Sequence, residues 1–151
     1  MNQTPLRTLA VDLEELTIAF EAEAADLQWY LDSQTGGVIL VTREYEPADH
    51  DGLTATEIET DPVRFIVVPP ADAQHSVDDM RTFADSVTDA QLKESLEIAL
   101  SAARPEKRFK AALSWLPEQQ SRWHAFRQDR CLQRVTKWLA GHGWLAGARA
   151  A

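Results

Sequence analysis

One cysteine in 151 residues leaves no partner for an internal disulfide and no thiolate set for a structural zinc. No stretch approaches the ~20 apolar residues of a membrane-spanning helix. The N-terminus lacks the basic-then-apolar layout of a secretory leader. Repeats, low-complexity tracts and linker-like segments are missing. So are the short signatures G-x-S-x-G and H-E-x-x-H, the phosphate loop and the dinucleotide fingerprint. The expectation from these absences is a cytoplasmic chain with no membrane partner, no metal, no cofactor and no catalytic residues of a recognised kind.

Bases are scarce in residues 1–100, where 21 acidic side chains face 5 basic ones, a net of −16. Residues 101–151 reverse this, with 3 acidic and 10 basic side chains, a net of +7 within the overall −9. Either the two halves pack with opposite charges facing, or each addresses its own partner. Apolar content of 44% with five tryptophans argues for a folded globule rather than an acidic disordered chain. A chain of this length buries roughly 70% of its unfolded surface without staples. One domain over 1–151 is expected, with an acidic helix and sheet over 12–70, a helical part over 74–145 and a mobile tail over 146–151.

Residues 1–10 read as frayed. Asp12 is placed to cap a helix running to about Ala25, with Leu9, Leu13, Leu16 and Phe20 at helical spacing. Leu27 to Asp32 and Val38 to Thr42 read as strands joined at Gly36-Gly37 into a β-hairpin. Trp29 and Leu31 then share the helix-facing side, opposite Tyr30 and Asp32. Residues 43–62 read as an acidic loop. Asp49-His50-Asp51 within it are three adjacent side chains, too few and too close to close a metal shell. Val63 to Val68 reads as a third strand ended by Pro69-Pro70.

From there the period is helical. Ser76 with Asp79 suggests a capping box ahead of Val77, Met80, Phe83 and Val87, and Thr88 a second cap ahead of Leu92, Leu96 and Ala99. Phe109, Ala112, Leu113 and Leu116 mark the buried side of a third helix. Pro117 separates it from a long fourth helix ending near Gly141-His142-Gly143. The fold class is α+β: an N-terminal helix, a small three-stranded antiparallel sheet with a hairpin, then a four-helix C-terminal segment.

Several of these residues carry a resemblance: Tyr30-Leu31-Asp32 followed by Thr35-Gly36, the Val68-Pro69-Pro70 exit, and Arg108-Phe109-Lys110 followed by Trp123 and Phe126-Arg127. Over about residues 12–145 the chain resembles an uncharacterised bacterial protein family, number zero-one-five-eight. Ala103 to Lys107 depart from the Gly-rich approach expected before Arg108-Phe109-Lys110. The resemblance implies no established activity and brings no catalytic residues.

The candidate binding residues lie in 104–139, which hold nine of the fifteen Lys/Arg and three of the five tryptophans. Arg127, Arg130, Arg134 and Lys137, spaced 3, 4 and 3, form a basic stripe on the last helix, away from Cys131, Leu132, Val135, Trp138 and Leu139. Trp123 and Phe126 lie beside it, and Arg108 and Lys110 precede it. The bland reading is a solvated cationic face with its aromatics in an adjoining core. The sharper reading is a recognition surface for a protein partner or a second copy, since Trp and Arg together are typical interface anchors. Docking on an open face of the hairpin is the other route considered. A nucleic acid gripped by the same residues is an alternative, opposed by the acidic first hundred residues. A small enzyme near His75, which neighbours Asp78 and Asp79, is a third; a capping or surface histidine is the blander reading of that residue. Cys131 reads as an inert core thiol.

Overall fold

The computed structural model describes residues 6–22 and 27–147. They form an α+β fold divided into two compact units, Met1–Ala71 with Leu132–Ala151, and Asp72–Cys131.

The first unit starts with strand β1, Arg7–Ala10, where the sequence suggests a frayed end. β1 pairs in parallel with β5, Trp144–Gly147, so Ala146 and Gly147 of the expected tail are paired residues, and 148–151 lie outside the described residues. Helix α1, Leu13–Glu21, is capped by Asp12, whose side chain accepts from the Glu15 amide at 3.2 Å. It ends at Glu21, with Ala22 as the extended C-cap, rather than near Ala25, and residues 23–26 lie outside the described part.

The hairpin forms as its Gly-Gly turn predicts, from β2, Gln28–Asp32, and β3, Val38–Val41. β4, Phe65–Val67, adds to the other side of β2, giving an antiparallel sheet in the order β3-β2-β4. The two faces of β2 do not divide into covered and open. Tyr30, Leu31 and Asp32 are consecutive, so their side chains alternate between faces, and all three are buried. The acidic stretch expected to be a loop contains a 3-10 turn, Pro47–His50, and helix α2, Ala55–Glu59. Thr54 and Glu57 close a reciprocal capping box on α2, an arrangement readable in T-x-x-E, and Ile58 anchors it in the core with Tyr30, Ile39, Val41 and Phe65.

The second unit is helical: α3, Ala73–Ser86; α4, Ala90–Leu100; α5, Pro105–Leu113; and residues 117–131 of α6, Pro117–Gly141, whose last part belongs to the first unit. Asp72 caps α3 and Asp89 caps α4, each with its carboxylate on backbone amides. The expected Ser76/Asp79 and Thr88 caps are therefore displaced, by four residues and by one, because an aspartate stood nearer the true start. Phe83, Met80, Leu96, Phe109 and Leu113 are fully buried in one core. Leu116 and Leu132, expected inside, are 40% and 41% exposed. Leu116 falls beyond the end of α5, where the helical period no longer aims it inward. Among the described residues no helix is long and apolar enough to cross a membrane.

Candidate interaction site

Trp123 sets the geometry of the basic region. Its ring lies 4.9 Å from Phe109, 5.3 Å from Phe83 and 6.2 Å from Phe126, centroid to centroid. Such offset and edge contacts add ~0.5–1.5 kcal/mol per pair beyond burial. At 7% exposure Trp123 is mainly a core residue, and only its rim reaches the surface.

That rim lines a notch with Ser76 and Met80 of α3, Glu106, Phe109 and Lys110 of α5, and Arg127 of α6. The helical period explains the convergence. Glu106, Phe109 and Lys110 are one turn apart on α5, as Trp123 and Arg127 are on α6. Three of the sequence candidates, Lys110, Trp123 and Arg127, are thus brought together. Among the described residues neither Lys110 nor Arg127 makes an ion pair, and Glu106 is the notch's one carboxylate. The notch holds about 10 Å³ of solvent-sized space, room for one water or a methyl group but not for a metabolite.

The other candidates are placed elsewhere. Arg130 is taken by its own chain: its Nε donates to the Asp79 carboxylate at 3.0 Å, and Asp79 is 2% exposed. Arg108 is two residues from Lys110 and therefore on the opposite side of α5. Arg134 and Lys137 lie on the part of α6 that belongs to the first unit. Nearby, Arg122, which was not singled out, donates to the Ser86 hydroxyl at 2.9 Å and sits 5.1 Å above the Phe83 ring.

His75 is exposed, and His50 stacks on Tyr45 at 4.9 Å in the first unit. No three His, Cys, Asp or Glu side chains among the described residues are grouped to hold a metal ion. A groove of about 310 Å³ lined by Arg81, Asp85, Glu97 and Ser101 is larger, but all four side chains are exposed.

A second constellation, in the first unit, escaped the sequence reading. Asp32 accepts the Gln34 and Thr35 amides at 2.9 and 3.4 Å and takes a two-pronged contact from Arg64, Nε to Oδ1 at 3.1 Å and a terminal nitrogen to Oδ2 at 3.0 Å. Burial alone would raise the pKa of this carboxylate, but the Arg64 guanidinium and the turn amides outweigh it and hold the pKa below the ordinary 3.8. The Asp32 carbonyl also accepts the Gly36 amide at 2.8 Å. Gly36 needs its φ of +77°, and a Cβ there would overlap the Ala10 carbonyl. The Asp32, Thr35 and Gly36 of the family-like motif are thus parts of one turn.

The model of a family described as an uncharacterised protein family (UPF0158) matches residues 5–146. The chain belongs to that family. It is also similar to the UPF0158 protein PA5073 of Pseudomonas aeruginosa, with 27% identity over 144 residues, 95% of this chain and 90% of the relative. No solved structure matches. The motif around Asp32 and the Lys110–Trp123–Arg127 notch both lie inside the matched span.

Proposed function

We propose that the protein is a non-enzymatic interaction module that binds a protein partner at the α5–α6 notch. The observation that carries this reading is the pair of cations, Lys110 and Arg127, flanking the Trp123 rim without an ion pair among the described residues. A cationic pair around an aromatic edge suits a partner segment that presents carboxylates beside a small apolar group. The notch is too small for a metabolite, which favours surface docking over enclosed chemistry.

Co-purification from native lysate with nuclease present tests it. Lys110→Glu with Arg127→Glu is expected to release the partner while the melting temperature stays within a few degrees of wild type. Arg130 is kept unchanged in this experiment, because its contact with Asp79 would confound binding with stability. A partner that stays bound to the double variant excludes the notch.

A further inference from the structure

The most exposed tryptophan lies outside the notch. Trp115 is 86% exposed and, among the described residues, touches no other ring. It follows the C-terminus of α5, where Ser114 keeps helical angles of φ −61° and ψ −24°. Continuing the period of α5 places Trp115 in line with Arg108 and Ala111, two turns and one turn earlier, with Lys107 flanking and Arg104 at the N-cap. All of these side chains are exposed. Arg104, Lys107 and Arg108 make no ion pair among the described residues. The carboxylate of α5, Glu106, is two residues from Arg108 and falls on the far side, with the notch.

We infer that this face of α5 binds single-stranded nucleic acid, with Trp115 stacking one base and Arg104, Lys107 and Arg108 contacting phosphates. A ring held free in solvent at the end of a row of cations is the arrangement that takes bases and backbone together. Arg104 and Arg108 are separated by about 6 Å of helix rise, close to one nucleotide step of an extended strand. A duplex would hide its base faces from the indole, so the strand must be single. An acidic protein segment fits less well. It would use the charges but leave the isolated indole without the surrounding apolar rim that protein anchors require.

The site and the notch occupy opposite sides of α5, so their tests are separable. The probe is a fluorescein-labelled oligothymidylate of about 12 nucleotides, titrated into the full chain by anisotropy at low salt. Binding is expected, with a slope of log affinity against log salt near −2 for three phosphates at about −0.7 each. Trp115→Ala is expected to weaken binding by roughly tenfold with an unchanged melting temperature. Arg104→Gln with Arg108→Gln is expected to flatten the slope to about −0.7. Lys110→Gln with Arg127→Gln is expected to leave the Trp115 dependence intact. Absence of binding at low salt overturns the inference. So does equal affinity for wild type and Trp115→Ala, which would reduce the face to non-specific charge. Binding of an acidic polyglutamate peptide with the same Trp115 dependence would overturn it too, and would assign the face to a protein.

Discussion

Asp32 and Asp79 are buried carboxylates, and each meets an arginine distant in sequence, Arg64 at a separation of 32 residues and Arg130 at 51. Neither pairing was legible from the chain, because an ion pair leaves no local periodicity, and Asp32 was placed only by its side of the hairpin and Asp79 in a capping box. Arg130→Ala is expected to destabilise by about 3 kcal/mol, measured by chemical denaturation, because it strips a main partner from a carboxylate shut away from water. Arg127→Ala, which breaks no ion pair among the described residues, is expected to stay within about 1 kcal/mol. For Asp32 the effect depends on pH. Its pKa is lower in the folded state than the ordinary 3.8, so its stabilisation is complete above 3.8 and disappears as pH falls through the folded value. The melting-temperature gap between wild type and Asp32→Asn should therefore be constant from neutral pH down to about pH 5 and close below 3.8. A gap independent of pH would show that shape, not charge, holds the turn.

Among the elements, the helices of the second unit were readable because apolar side chains recur at 3 and 4 residues over several turns. Phe83, Phe109 and Leu113 are all where that spacing sends them. Caps were less readable: where Ser76 or Thr88 competed with a nearby aspartate, the aspartate held the amides. β1 and β5 were missed for a different reason. Each has four residues without clear alternation, and each exists by pairing with the opposite end of the chain. Ladder bonds of that kind leave no trace in a local window. The hairpin was predicted from its glycines, and Gly36 shows why it needs one. Gly36→Ala combines an unfavourable φ with overlap on the Ala10 carbonyl, and a loss of more than about 1 kcal/mol is expected in urea unfolding. Phe83 touches the rings of Phe109, Trp123 and Phe126. Phe83→Ala is expected to cost about 3–5 kcal/mol, and a smaller loss would mean that those rings collapse into the space.

For the whole molecule, the charge split looks different once residues are grouped by compact unit. Residues 72–131 hold ten acidic and nine basic side chains, a net of −1, and the remaining residues carry −8. Within the second unit the +4 of residues 101–131 is offset by the −5 of residues 72–100, and Asp79–Arg130 is a direct contact of this kind. What is left over is local: Lys110 and Arg127 at the notch, and the cations of the opposite face of α5. The sequence marked the right region for recognition but overstated the stripe, because helical spacing shows which side a residue takes and not whether another helix supplies a carboxylate there. Zero-length carbodiimide cross-linking of the chain to its co-purified partner addresses the notch most directly, since it joins an amine to a carboxylate in contact. Cross-links from Lys110 to acidic residues of the partner are expected, and they should vanish in Lys110→Gln. Cross-links that map only to other lysines, with Lys110 unmodified in the complex, would contradict docking at the notch.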